Sequence, residues 1–175
     1  MTLPAWREEP IAKSHDRQSF DCGNSAMNDF FRRYARQNHE QNASKTFCAI
    51  DISTPSRVLG FYTIAPSSVA HQSVSPSMTK GLAQHEIAGY KLARIATDVS
   101  VAGHGLGGQL LVAAALRCLR IASEVGGVLL IIDAKGERAA KWYAGYGAEP
   151  LENQPLTLVM PLATFSADLR GRGLL

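Results

Sequence analysis

Apolar positions recur along the chain at two spacings, and the places where the spacing changes mark the elements. After Phe20-Asp21-Cys22-Gly23, residues Met27, Phe30, Phe31, Tyr34 and Ala35 return at intervals of three and four, which predicts a helix with one apolar face. Cys22-Gly23 supply the turn before it, and Asn24 or Ser25 its N-cap. Two β-branched and aromatic runs follow, KTFCAID and VLGFYTIAPSSV, separated by STPSR. They predict an antiparallel hairpin turned around Pro55, with a bulge or bend near Pro66. Residues 70–88 are polar, serine-rich and weakly patterned, which predicts a long surface connection, a kind of segment frequently functional or mobile.

The second half alternates more sharply. Residues 90–101 (YKLARIATDVSV) read as a strand, 102–108 (AGHGLGG) as a glycine loop, and 109–125 (QLLVAAALRCLRIASEV) as a helix. In that helix Leu111, Ala115, Cys118, Ala122 and Val125 form the apolar stripe, with Arg117, Arg120 and Glu124 on the outer face. Gly126-Gly127 stop it. VLLIID is short and apolar almost throughout, as a strand covered on both faces is. KGERAAKWYAGYG then reads as a short helix ended by glycines, and LTLVMPL as a last strand closed by Pro161. The order strand, loop, helix, strand, helix, strand predicts an α/β (α+β) fold, a sheet with helices packed on it.

Composition narrows the class. The chain has 175 residues and 18.9 kDa, which predicts a single domain, 1–175, with a core that needs no metal or disulfide staple. Apolar residues make up 46% and charged residues 19%, a globular balance that excludes a disordered chain. No continuous apolar run approaches the ~20 residues of a membrane helix, and MTLPAWREEP carries two acids and no hydrophobic segment, unlike a signal peptide. The expectation is a cytoplasmic protein with no membrane partner. Cys22, Cys48 and Cys118 are widely spaced without a CxxC pair, so they read as buried thiols in a reducing compartment. With the histidines equally scattered, no metal site is expected. Eighteen basic against fifteen acidic residues give a net +3, which permits an anionic partner without demanding one.

The loop carries the first chemistry. Gly103, Gly105, Gly107 and Gly108 sit at a strand-to-helix junction, where uncovered backbone N–H groups and the positive helix end suit a phosphate or pyrophosphate. GHGLGG also satisfies GxGxxG, and VLLIID ends in Asp133, about where a dinucleotide fold places its ribose-binding acid. A nicotinamide-binding domain is therefore a rival. Against it, only 67 residues follow Gly108 and nearly a hundred precede the loop. A P-loop is excluded because no Gly-Lys-Ser/Thr follows.

Taken together, these motifs resemble a known family. The segment from Leu92 to Gly147 is similar to the core of the GNAT acetyltransferases: LARIATD, a pyrophosphate loop, a long helix, VLLIIDA, and a helix carrying Trp142-Tyr143 with Gly147 four residues on. Against the family pattern Q/R-x-x-G-x-G/A, Ala102 stands at the Gln/Arg position and Gly105 and Gly107 at the small ones. FDCGNSAMNDFF resembles the FxCG signature of the toxin branch of type II toxin–antitoxin systems. Those enzymes acetylate the α-amino group of aminoacyl-tRNA and stop translation. The resemblance implies a GNAT fold, its mixed central sheet splayed at the acetyl-CoA site and helices on both faces. It also implies acetyl-CoA as co-substrate, no metal, a ribbon-helix-helix antitoxin and a homodimer.

Carried over residue by residue, the resemblance implies cofactor contacts at Ile95, Ala96, Thr97, Gly103, His104, Gly105, Leu106, Gly107, Gly108 and Gly136. The backbone near Ala96 and Thr97 would hold the thioester carbonyl. Tyr143 would donate a proton to the departing sulfur, since a phenol is protonated at pH 7. By context Trp142 reads as core and Tyr146 as helix-end packing. Asp133 reads as a base, a water-orienter or a solvated acid. For the acceptor, Arg94, Arg32, Arg33, Arg36, Lys45, Lys80 and Lys91 are the candidates to track tRNA phosphates. On charge pattern alone the three helix arginines equally describe a solvated face. Two other readings stay open: acetylation of a small amine or protein N-terminus, and a weakly catalytic GNAT fold serving as binding partner or co-repressor of a DNA-binding antitoxin.

Overall fold

The computed structural model describes residues 1–173. Seven strands form one hydrogen-bonded sheet in the order β1-β2-β3-β4-β5-β7-β6. The chain divides into two compact units.

The first unit comprises residues 1–65 and 93–114. Strand β1 (Trp6–Pro10) pairs antiparallel with β2 (Lys45–Asp51), which pairs antiparallel with the first half of β3 (Val58–Val69). Between β1 and β2 lie helices α1 (Ser25–Arg33) and α2 (Ala35–Glu40). Asn24 caps α1, its side chain accepting from the Met27 N–H, as the turn chemistry predicts. The apolar face of α1 closes the core: Phe31 stacks on Phe61 of β3 at 4.3 Å, and Phe20 packs on both at 4.9 and 5.5 Å.

The hairpin forms as expected, but its bulge does not lie at Pro66. The register shifts at Ala49/Ile50, and β3 continues through Pro66 to Val69. The β2–β3 ladder starts at Lys45↔Ile64. Pro66 lies beyond it, where a missing N–H breaks no bond to β2.

The second unit holds residues 66–92 and those from 115 onward. Strand β4 (Ile87–Thr97) begins here and runs parallel to β5 (Leu129–Asp133), from Gly89↔Leu129 to Leu92↔Ile132. β5 pairs antiparallel with β7 (Gln154–Pro161), and β7 with the short β6 (Glu149–Leu151). A side chain at Gly89 would collide with the Leu129 carbonyl, so this strand contact requires glycine. Residues 70–88 are less irregular than their composition predicts. A 3-10 turn (His71–Ser73) and helix α3 (Pro76–Thr79) occupy them, with Val74 and Thr79 buried.

Helix α4 (Leu106–Val125) starts three residues earlier than the periodicity predicts, because Gly107 and Gly108 fold into its first turn. At 20 residues, with a mean hydropathy of 1.3 over its most apolar 18, it is long and apolar enough to cross a membrane by length and composition alone. Its buried residues are Leu106, Leu110, Leu111, Ala114, Ala115 and Cys118. The expected stripe ends there, since Val125 is 74% exposed. Gly126 and Gly127 terminate the helix at φ +85° and +118°. Helices α5 (Glu137–Ala144) and α6 (Leu162–Gly171) complete the chain.

Candidate functional site

In the first unit the end of β4 leads into the glycine loop. The Asp98 N–H donates to the Leu59 carbonyl of β3 at 2.8 Å, and the Ala96 carbonyl lies against Gly60. In a strand, neighbouring residues turn their N–H and C=O to opposite edges. Ala96 therefore spends its amide toward β3, while Ile95 and Thr97 direct theirs to the other edge. The ladder to β5 spans only Gly89–Leu92, so Ile95 and Thr97 lie beyond it. Of the three expected contacts, this geometry favours Ile95 and Thr97 over Ala96.

Beyond Asp98 a 3-10 turn (Val99–Val101) leads to Ala102, Gly103, His104 and Gly105, all exposed. Gly103 and Gly105 adopt φ +79° and +85°, the left-handed region that side chains disfavour. A Cβ at either would meet nothing within 4 Å, so conformation rather than space demands glycine. Leu106, Gly107 and Gly108 begin α4, where N–H groups have no acceptor in the preceding turn. Two left-handed glycines and a helix N-terminus of twenty residues thus follow one another, an arrangement suited to a pyrophosphate. The loop presents no cationic side chain; what it offers an anion is backbone N–H groups.

The second unit holds Tyr143 on α5. Its side chain is buried, and burial pushes the phenol well above its ordinary range by penalising the phenolate. Trp142 does not lie in the core: it is 39% exposed, its ring 4.9 Å from Tyr143 and 5.0 Å from Tyr146. The i,i+1 step from the buried Tyr143 turns Trp142 outward. Tyr146 is 42% exposed, so it packs on Trp142 at the surface. Asp133 pairs with Lys91 at 3.3 Å, both part-exposed. Gly136 precedes α5 in extended backbone, φ 175°, which any residue adopts.

The basic candidates have structural work of their own. Arg32 reaches back to the Phe20 carbonyl at 2.6 Å, and its own carbonyl accepts from Arg17 at 2.8 Å. Arg33 pairs with Asp29 at 2.9 Å and Arg36 with Glu40 at 2.8 Å, one helical turn apart. Lys45 donates to the His39 carbonyl at 2.9 Å. The Arg94 guanidinium lies 3.7 Å above the Phe30 ring, a cation–π contact. Lys80 is exposed just after α3. The three helix arginines therefore do not present one common charged row, because Arg32 is turned inward.

Residues that the periodicity did not single out surround the loop. Asp98, Ser100, Asp21, Asn28 and Arg57 form a hydrogen-bonded group at its base. The Asp-x-Ser spacing at 98–100, a side-chain-to-backbone turn, and the Phe20-Asp21-Cys22-Gly23 turn are the sequence signals for it. Cys48 and Cys118 are buried thiols raised by desolvation, Cys118 to about 12, whereas Cys22 is only partly buried. No cluster of three metal-ligating side chains occurs among the described residues.

No family model matches the chain. It is 31% identical over 150 residues to a tRNA-acetylating toxin of Mycobacterium tuberculosis, covering 86% of this chain and 88% of that one. It is 27% identical over 165 residues to a probable toxin TacT of Sinorhizobium fredii, covering 89% and 91%. Among solved structures it resembles AtaT complexed with acetyl-methionyl-tRNAfMet, with a TM-score of 0.88 and 25% identity over 94% of this chain and 99% of that one.

Proposed function

The chain belongs to the tRNA-acetylating toxins, GNAT-fold acetyltransferases of type II toxin–antitoxin systems, and from that premise we propose how its own residues carry the reaction. It transfers the acetyl group of acetyl-CoA to the α-amino group of an aminoacyl-tRNA and so blocks translation. The observation that carries this reading is the left-handed pair Gly103/Gly105 at the exposed mouth of α4, one 3-10 turn after the end of β4 that extends past its ladder to β5.

The amides of 103–108 hold the pyrophosphate, and the Ile95 and Thr97 N–H groups face the acetyl carbonyl. The neutral α-amino nitrogen attacks that carbonyl carbon, the carbon–sulfur bond breaks, and the amine releases a proton. Tyr143 donates its phenolic proton to the leaving sulfur and recovers one from the released proton through solvent. No strong protein base is needed: an α-amino group has a reference pKa of ~7.7–8.0, and esterification of its carboxyl lowers it. Asp133 is paired with Lys91, and no base is assigned to it.

Arg94, held over Phe30, is the cation assigned to the acceptor nearest the acetyl group. Arg33, Arg36, Lys45, Lys80 and Lys91 add attraction for tRNA phosphates, and Arg32 supports the fold. The chain works as a single GNAT domain where charged tRNA is found, in the cytoplasm. The partners are a ribbon-helix-helix antitoxin, as AtaT has been solved with its antitoxin AtaR, and a second copy of the chain.

The test is incubation with acetyl-CoA and a pool of charged tRNAs, with products identified by mass spectrometry. N-acetylated aminoacyl-tRNA is expected. Acetylation confined to free amines or peptide N-termini overturns the acceptor assignment.

A further inference from the structure

The glycine loop carries no cationic side chain, so its affinity for a pyrophosphate depends on where its backbone amides point. Such amides need a fixed base. The structure gives one at Asp98, where β4 ends and the loop begins. Asp98 Oδ1 accepts from the Ser100 N–H at 2.9 Å and from its hydroxyl at 2.7 Å, bracing the 3-10 turn of 99–101. Asp98 Oδ2 accepts from the Asp21 N–H at 3.0 Å, and the Val99 N–H donates back to the Asp21 carbonyl at 2.8 Å.

Both sides of this clasp are themselves held. Asp21 Oδ1 accepts from the Gly23 N–H and from the buried Asn28 amide, each at 2.8 Å, while Asn28 Oδ1 accepts from the Cys22 N–H at 2.9 Å. Phe20, the preceding residue, is buried against Phe31 and Phe61. On the other side Arg57 donates to Ser100 Oγ at 3.0 Å and to Asp51 at 3.2 Å, tying the turn to the β2–β3 hairpin. The segment Phe20-Asp21-Cys22-Gly23 is about 80 residues from the loop in sequence, yet it fixes the loop's first turn.

We propose that Asp98, clasped by the backbone of Asp21 and by Ser100, is a positioning residue for acetyl-CoA binding, and that the FDCG segment exists in this chain to set the loop's amides. This rests on the reading of 103–108 as the pyrophosphate site. Asp98 does not touch the reacting atoms; it acts through the backbone it holds.

The experiment compares wild type with Asp98→Ala, Asp98→Asn, Ser100→Ala and Gly105→Val, measuring acetyl-CoA affinity by calorimetry and then KM and kcat with charged tRNA. Asp98→Ala is expected to weaken acetyl-CoA about tenfold, the scale of one or two charge-assisted hydrogen bonds, while kcat at saturating acetyl-CoA falls less than twofold. Asp98→Asn recovers part of the loss, keeping an acceptor for Ser100 but facing the Asp21 N–H with a donor. Ser100→Ala leaves the Asp21 clasp intact and decides the matter should Asp98→Ala not fold; about a threefold loss is expected. If Gly105→Val loses acetyl-CoA while Ser100→Ala and the folded Asp98 variants bind it as wild type does, the clasp proposal is overturned and the loop reading stands. If Gly105→Val binds acetyl-CoA normally, the loop reading itself fails.

Discussion

Tyr143 illustrates how a single residue's surroundings set its chemistry. Burial on α5 removes water from the phenolate and raises the pKa, so the proton-carrying form persists through and above neutral pH. The substrate amine has the opposite requirement, reacting only when deprotonated. The sign is therefore clear: kcat/KM rises with pH from 6 to 8 as the amine loses its proton, then levels, with no descending limb from Tyr143 below pH 9. Initial rates with charged tRNA across that range check this, and a fall with an apparent pKa between 7 and 9 contradicts the assignment. The sequence context pointed to Tyr143, but it misplaced Trp142. Only the helix's rotation against the sheet reveals which aromatic is buried. The same holds for Arg32: a charge on an apparently polar face turns out to hold the Phe20 carbonyl, a long-range contact that periodicity does not encode.

Elements differ in how far their local chemistry betrays them. The Asn24 cap, the β2–β3 hairpin and the Gly126-Gly127 stop are written in turn residues and form as expected. The single helix expected through Ala35, however, breaks at Tyr34, which is 50% exposed and separates α1 from α2. The last three residues of the expected loop join α4. β1 is not written in this way, because WREEP has no alternation; it becomes a strand by pairing with the open edge of β2. β6 is only three residues long and follows its neighbour β7 into the sheet. The loop also yields the sharpest prediction at this scale. Gly105→Val places a β-branched residue at φ +85°, where a Cβ meets no atom within 4 Å. The strain of ~1–2 kcal/mol falls on an exposed loop. The variant should keep its cooperative unfolding transition and lose measurable acetyl-CoA affinity; unfolding of the whole chain, or unchanged affinity, would show the loop to be structural.

At the scale of the molecule, charge is the feature whose meaning changed most. The excess of +3 lies between residues 41 and 140, where nine basic residues face six acids. Ion pairs at Arg33–Asp29, Arg36–Glu40 and Lys91–Asp133 moderate several of the cations assigned to tRNA. Attraction through such partly compensated charges is modest and weakens with salt.

The most direct measurement is the single-turnover rate of labelled acetyl transfer from acetyl-CoA to a charged tRNA, for wild type and Tyr143→Phe, with the deacylated tRNA as control. Label is expected only on the charged tRNA's amino acid, with a rate about a hundredfold lower in the variant, in the range that general-acid catalysis supplies, at unchanged acetyl-CoA affinity. Equal rates for the two proteins, or label on the deacylated tRNA, would contradict it.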